Sequence, residues 1–414
     1  MLALPDRFAA TGRKEAQAPA DATRHAGLGL DCGRVDLRPS SLWPVRPAWS
    51  PRRIVNSDKK PQGSDCFSLL KELSETPGVS GQEDRIRARV SEHLASLVDE
   101  LHTDTLGNLT GLRRGSGSPA KRVMLAAHMD EIGLIVTRLE KGFLRFAPVG
   151  GVDVGALPAQ EVTVHGRADL PGLIASRPPH VLSQEEREKP FAQADLFIDV
   201  GLPAGELAEY VSVGDFISIR RCAGRLGNGY ASGKAFDNRV SVVVLLQALH
   251  ILQQRSHTWD IFAVVTVQEE IGLRGARTAA FQVQPDVGIA LDVTYAEQQG
   301  ATAEEALPMG SGPAIGLGPN LHPVLRTLLV DTAERNEIPF TNEVLPGNSG
   351  TDAWTMQVSR SGIPTALISV PVRNMHTPAE TVALRDVERS ARLLAETICE
   401  LPDDLSALAL DDQA

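Results

Sequence analysis

The sequence predicts an α/β protein: a mixed, mostly parallel sheet flanked by helices, with a small β-rich domain inserted into it. Three observations carry that expectation. Two predominantly apolar segments, Val123-Met-Leu-Ala-Ala127 and Ile261-Phe-Ala-Val-Val-Thr-Val267, read as strands buried on both faces, as in a parallel sheet. Segments with helical spacing alternate with such strands, as in Arg239 to Leu252. From Gly133 to Arg225 the pattern switches to short alternating stretches such as Glu161-Val-Thr-Val-His165 and Asp215-Phe-Ile-Ser-Ile-Arg220, separated by Gly, Pro and Asp, which is the mark of a small β-rich unit.

Taken in order, residues 1–63 are rich in Arg, Pro, Ala and Ser and show no sustained periodicity, so they are expected to be disordered or poorly ordered. Met1-Leu-Ala-Leu-Pro5 is too short, and broken by Pro, to be the apolar core of a secretory signal. Order is expected from Asp65, where Phe67, Leu69, Leu70 and Leu73 recur at helical spacing. A Pro77-Gly78 turn and a helix over Glu83 to Val98 follow. After the β-rich insert, the spacing predicts a helix over Arg239 to Leu252, strands over 261–267 and Val287 to Leu291, and a helix over His322 to Asn336. A strand over Thr365 to Val370 and a closing helix over Glu380 to Leu401 complete the α/β part, and an acidic, loose tail spans 402–414.

Composition narrows the function classes. At 414 residues the chain exceeds one average core, so two domains are expected. A net charge of −11 argues against a general nucleic-acid binder, which would show a basic face. No run approaches the roughly 18 apolar residues of a membrane-spanning helix. Cys32, Cys66, Cys222 and Cys399 are widely separated, with no CxxC pair, which fits a reducing cytoplasm better than a disulfide framework.

The chemistry sits at strand ends. Glu269 and Glu270 directly follow the apolar run that ends at Val267, and charge placed there needs pairing, hydrogen bonds or a metal. Carboxyl edges of open α/β sheets are also where ligands bind. His128 with Asp130, Asp237, and Asp292 occupy comparable junctions, and His376 lies in a loop after the last strand. Imidazole and carboxylate without thiolate is a ligand set for catalytic zinc or related divalent ions. With one carboxylate bridging, two His and three carboxylates suit two ions roughly 3.5–4 Å apart. Asp237, before a helix, is placed to bridge. Asp130, two residues after His128, is placed to accept the other imidazole N–H. One glutamate would bind metal while strand alternation turns the other toward water as general base, and spacing does not say which. Singly, each group has a structural explanation, such as helix capping by Asp237; what argues for a site is that all meet at one sheet edge.

The same residues resemble the tetrahedral aminopeptidases, the forty-second family of metallopeptidases. The matching segments are Ala127-His128-Met129-Asp130-Glu131-Ile132-Gly133, Gly233-Lys234-Ala235-Phe236-Asp237-Asn238-Arg239 and Val267-Gln268-Glu269-Glu270-Ile271-Gly272-Leu273-Arg274-Gly275-Ala276. Ala290-Leu291-Asp292-Val293, Ser349-Gly350-Thr351-Asp352-Ala353, Met375-His376-Thr377-Pro378-Ala379-Glu380 and, in the insert, Ile174-Ala175-Ser176-Arg177-Pro178-Pro179-His180 also match. The likeness runs from Ser68 to Leu401.

The resemblance implies a dinuclear zinc exopeptidase fold whose catalytic domain is discontinuous, 64–132 with 226–401, around an oligomerisation domain at 133–225. It implies two divalent ions per subunit, zinc with cobalt or manganese as alternatives, held by His128, Asp237, Glu270, Asp292 and His376. Asp237 would bridge them, and the Asp237–Asn238 peptide would be cis. Glu269 would be the general base, and Asp130 the carboxylate behind His128. Asp352 is a weaker candidate for the substrate amine, since turn formation explains it almost as well. The implied activity is removal of N-terminal residues from peptides, by a homododecamer built from dimers. The alternatives are a carboxypeptidase or N-deacylase of similar metal chemistry and, less favoured because adjacent glutamates cannot easily flank one bond, a glycosidase.

Overall fold

The computed structural model describes residues 65–408 apart from 182, 189–191 and 303–305, together with the backbone of Arg52–Arg53. The expectation for residues 1–63 therefore lies outside the described residues, save for that short pair, which adds to the sheet edge beside Glu100–Thr103. The core is a mixed sheet. Its central strands, Asp260–Thr266, Arg122–His128, Val287–Tyr295 and Thr365–Arg373, run parallel in that order. Antiparallel strands extend it on both sides, with Leu109–Arg113 and Glu100–Thr103 at one side, and Glu380–Ala383, Tyr230–Gly233 and Gly224–Arg225 at the other.

The parallel strands read as continuous apolar runs because both of their faces are covered. Val123, Leu125, Ala127, Ile261, Ala263 and Val265 pack in one layer with the helices Cys66–Glu75, Phe236–Leu252 and Leu384–Cys399. The alternate residues Met124, Ala126, Phe262 and Val264 pack against Ala276, Ala279 and Ala280 of helix Arg274–Val283 and Met356 of helix Asp352–Met356. This is the period-two split that a pleated strand imposes. Helix Phe236–Leu252 is buried around nearly its whole circumference, which explains its lack of a polar stripe.

The register sets which residues share the carboxyl edge. Thr266 pairs with His128, and Asp292 pairs with Ser369. Two expectations shift here. Asp292 does not follow its strand but lies inside it, because pairing with Thr365–Arg373 continues to Tyr295. Glu380 does not open the closing helix; Glu380–Ala383 is a strand paired with Tyr230–Gly233, and the helix begins at Leu384. The β-branched pair Thr381-Val382 favours the extended form, and it lies between Thr365–Arg373 and Tyr230–Gly233, which both pair with it.

The β-rich segment forms a closed antiparallel barrel of Gly133–Glu140, Phe143–Val149, Glu161–His165, Asp169–Ser176, Leu196–Asp199 and Phe216–Ile219. Leu134, Val136, Leu144, Val162, Val164 and Ile198 fill its interior. Closure leaves no open strand edge within it. Gly224–Arg225, inside the expected insert, pairs with the large sheet instead. At the chain's other end, the Pro402 carbonyl accepts from the Trp259 indole at 3.1 Å and a 3-10 turn spans Leu405–Leu408; the rest of the expected tail, 409–414, lies outside the described residues. Among the described residues Cys66, Cys222 and Cys399 are free, and no helix is long and apolar enough to cross a membrane.

A buried polar network ties the sheet edge to the first helices. Glu131 accepts from Lys234 Nζ at 2.6 Å and from the Gly78 N–H at 3.0 Å. Arg239, fully buried, donates to the Leu73 and Thr76 carbonyls. Gly78 is required because a Cβ there would come within 2.4 Å of Ile86 Cγ2 and 2.8 Å of Arg239 Nη2. Lys234→Met removes the cation hydrogen-bonded to the Glu131 carboxylate and leaves it Arg239 Nη2 at 3.8 Å, and denaturant unfolding should show a loss of about 3 kcal/mol. A loss below about 1 kcal/mol, the range of an exposed pair, would show that the pair does not support the fold.

Candidate active site

Five of the predicted groups converge around Asp237. This residue lies in the first turn of helix Phe236–Leu252 with non-helical backbone angles (φ −74°, ψ 105°), and the Asp237–Asn238 peptide is cis. Asn238 Nδ2 donates to the Leu291 carbonyl at 2.9 Å, and Ser241 Oγ to the Asp292 carbonyl at 3.1 Å, which fixes the helix start against the Asp292 strand. The two carboxylate oxygens of Asp237 then face two different sets. Oδ1 lies 3.2 Å from His128 Nε2, which is itself 3.8 Å from Asp292 Oδ1. Oδ2 lies 3.1 Å from His376 Nε2, which is 3.4 Å from Glu270 Oε2.

Glu269 and Glu270 correct one step of the sequence argument. The strand ends at Thr266, and Gln268 adopts a left-handed backbone with φ of 55°. Strand alternation therefore does not separate the two side chains, and both line the same cleft. They part across Asp237 instead, with Glu269 Oε2 3.8 Å from His128 Nε2 and Glu270 Oε2 beside His376. The ligand atoms of His128, Glu269 and Asp292 cluster closely enough to hold one ion, and so do those of His128, Asp237 and Glu270. Geometry alone thus leaves Glu269 in reach of a metal as well as of a water beside one.

Asp130 braces both sides. Its carboxylate accepts from the N–H groups of Glu269 at 3.1 Å and Glu270 at 3.2 Å, and from Ser80 Oγ at 2.6 Å. His128 Nδ1 faces the Asp130 carbonyl at 3.2 Å and a carboxylate oxygen at 3.5 Å. Burial opposes ionisation of Asp130, but the hydrogen bonds from His128, Ser80 and the Glu269 N–H hold its carboxyl below the usual range. Asp352 is buried behind the site and does not line the cleft; its Oδ2 accepts from Thr266 Oγ1 at 2.6 Å, and burial pushes its carboxyl up to about 6.

Sequence reasoning assigned no role to two further features. Glu380 accepts from the Asp237 N–H at 3.0 Å and the His376 N–H at 2.9 Å, so one buried carboxylate orients residues from two elements. The available signal was a charge opening the otherwise β-prone Thr381-Val382-Ala383. Gly151, after barrel strand Phe143–Val149, must be glycine because a Cβ would come within 2.7 Å of His376 Nδ1. Only the tertiary contact reveals that requirement.

The site holds more negative charge than its own side chains neutralise. Burial, then the neighbouring carboxylates Asp292, Asp352 and Asp237, push Glu269 up to about 10. Burial likewise raises Glu270 and Asp292 well above the carboxylate range. Burial disfavours a charged His128, yet Glu269, Asp130 and Asp237 outweigh it and raise its imidazole well above its ordinary value. No Lys or Arg is found among the described residues lining the cleft, which encloses about 900 Å³, and Glu270 Oε1 is buried without a hydrogen-bond partner. A hard or borderline divalent cation satisfies such a donor set.

Residues 107–393 match the family model described as M42 glutamyl aminopeptidase. The chain is 37% identical to the lysyl aminopeptidase of Pyrococcus furiosus over 341 residues, covering 81% of this chain and 97% of that protein. Its fold is similar to the TET aminopeptidase of a Thaumarchaeota archaeon from marine sediment, with a TM-score of 0.78 and 35% identity, covering 83% of this chain and 98% of that one. It is also similar to the TET1 peptidase of Pyrococcus horikoshii, which can assemble into a tetrahedron or a large octahedral shell (TM-score 0.72, 31% identity, covering 81% of this chain and 100% of that one).

Carboxyls raised on folding stabilise only while protonated, so their contribution is present below the unfolded value and is lost as pH rises through the folded one. For Glu269 that window runs from about 4.5 to about 10. Chelator-treated protein should therefore lose thermal stability from pH 5 to pH 9, and added Zn²⁺ should raise Tm most at the alkaline end. A chelated Tm that climbs across this range would contradict the charge balance described.

Proposed function

The chain belongs to the M42 glutamyl aminopeptidase family and is a metallo-aminopeptidase, and from that premise we propose that it releases N-terminal residues from peptides with two divalent ions and Glu269 as proton carrier. The observation that carries this reading is Asp237, whose Oδ1 faces His128 and Asp292 while Oδ2 faces His376 and Glu270. A carboxylate presenting one oxygen to each of two ligand sets suits a bridge between two ions. His128, Asp237 and Asp292 would hold one, and Asp237, Glu270 and His376 the other, in a dinuclear zinc exopeptidase fold. Zinc suits these ligands, as do cobalt and manganese.

When bound, the ions supply Lewis-acid polarisation of the scissile carbonyl and acidify the attacking water. Glu269 takes that water's proton and passes it to the leaving amine. Its buried surroundings favour the protonated carboxyl, and bound cations would lower its affinity for the proton. Asp130 keeps the His128 ring oriented through Nδ1 and pins the backbone of both glutamates. Asp352 supports the strand end beneath Glu269 through Thr266 rather than receiving the substrate amine. Glu380 orients Asp237 and His376. The assignment of Glu269 as base and Glu270 as ligand follows the family pattern, with their separation across Asp237 in support.

We take 133–225 as an oligomerisation domain, with the dodecamer and shells of the similar TET peptidases as the guide to a homododecamer of this chain. The free thiols fit a cytoplasmic setting.

Glu269→Gln should abolish turnover of aminoacyl chromogenic substrates while two equivalents of metal remain bound, as read by elemental analysis. Near-normal activity would remove Glu269 from the proton-transfer role. Substrates with a free N-terminus should be cleaved and N-blocked ones left intact; the reverse would make the protein an N-deacylase or a related hydrolase. Light scattering on the purified full chain is expected to give a mass near twelve subunits, and a stable monomer or dimer would refute the assembly.

A further inference from the structure

One carboxylate in the cleft is not used by the chemistry above. Glu343, on strand Thr341–Val344, is 9% exposed and lines the same cleft as the five proposed ligands. Ser369 Oγ donates to its Oε2 at 2.6 Å, and the Thr294 hydroxyl also bonds it. Both contacts tie it to the reaction centre. Thr294 follows Asp292 by two residues on one strand, and Ser369 is the register partner of Asp292, about 4.8 Å across the sheet. The Glu343 carboxylate therefore sits beside the strand that carries a proposed ligand, among the residues that line the cleft.

Its environment lacks a counter-charge. No Lys or Arg is found among the described residues lining the cleft, and no described cation lies within ion-pair distance of Glu343. Burial raises its carboxyl, and the two hydroxyls oppose that only in part. A buried carboxylate of this kind is stabilised by an arriving cation. The other walls mix the polar Gln298, Asn348, Ser349 and Thr351 with an apolar or amphipathic set that includes Tyr295, Leu307, Val344, Leu345 and Met375. The apolar set suits a methylene stem that ends in a charged head.

We propose that Glu343 makes the first side-chain pocket selective for a basic N-terminal residue, lysine or arginine. The inference rests on the aminopeptidase reading and extends it to substrate class. The oriented carboxylate accepts a charge-assisted hydrogen bond from the ammonium or guanidinium group. An acidic N-terminal side chain would meet like charge with no partner, despite the family description.

The test uses the metal-loaded full chain and lysyl, arginyl, leucyl and glutamyl chromogenic substrates with free amines. Wild type should show the highest kcat/KM on Lys and Arg. Glu343→Gln, which keeps the shape and the hydroxyl contacts, should lower kcat/KM for Lys and Arg by about tenfold or more, mainly through KM, for loss of one charge-assisted bond. Leucyl turnover should be unchanged. Glu343→Lys should shift preference toward the glutamyl substrate. A lysyl-to-leucyl ratio unaltered in Glu343→Gln overturns the inference while leaving the aminopeptidase reading intact. A parallel fall in leucyl turnover with a lowered Tm marks Glu343 as a structural support and overturns it as well. Wild type that prefers the glutamyl substrate also refutes it, and failure to cleave any free-amine substrate refutes both readings.

Discussion

Everything at the carboxyl edge of the sheet is organised by the need to hold several buried carboxylates close together. Asp237, Glu269, Glu270 and Asp292 would repel one another in a medium of low dielectric, and among the described residues only His128 and His376 stand among them as potential cations. The surrounding structure accepts that cost by over-determining each position. Asp130 takes the N–H groups of both glutamates, Glu380 takes those of Asp237 and His376, and Asn238 and Ser241 clamp the helix start to the Asp292 strand. The arrangement suits a cation receptor better than a bare cluster. That difference is what makes it chemically useful.

Rigidity behind the cluster comes from the sheet and from a second buried polar network. The parallel strands are covered on both faces, so Thr266, His128 and Asp292 have little freedom in register. Directly behind His128, Glu131 binds Lys234 and the Gly78 amide, linking the strand end to the Asp237 segment and to the turn after the first helix. The barrel begins two residues beyond Glu131, and after its second strand Gly150 and Gly151 return so close to the site that a Cβ on them would crowd Glu270 and His376. A distortion of the barrel would therefore reach a proposed ligand directly.

Much of this was legible in the chain. The apolar strands, the switch to short alternating segments after Gly133 and the placement of charge after buried runs follow from local patterns with periods of two and 3.6 residues. The errors fall where a local pattern met a tertiary partner. Asp292 reads as the residue just past a strand, but a neighbouring strand extends the pairing beyond it. Glu380 reads as the start of a helix, but the edge beside Tyr230–Gly233 draws it into a strand. Glu269 and Glu270 read as alternating, but the left-handed Gln268 turns the chain before alternation applies. Glu343 carried no signal at all, because its significance lies in Ser369 and Thr294, which are distant in sequence.

The sequence by itself pointed to a mixed α/β fold, to a candidate set of metal-binding residues and to the edge of the sheet where they meet. Those follow from buried strands and from side-chain chemistry, which are properties of short segments. Only the tertiary structure decided how the groups divide around Asp237, which carboxylates orient others and which one is left facing the cleft without a counter-charge. These depend on strand register and on which side chains converge across the sheet, and neither is written in any single segment.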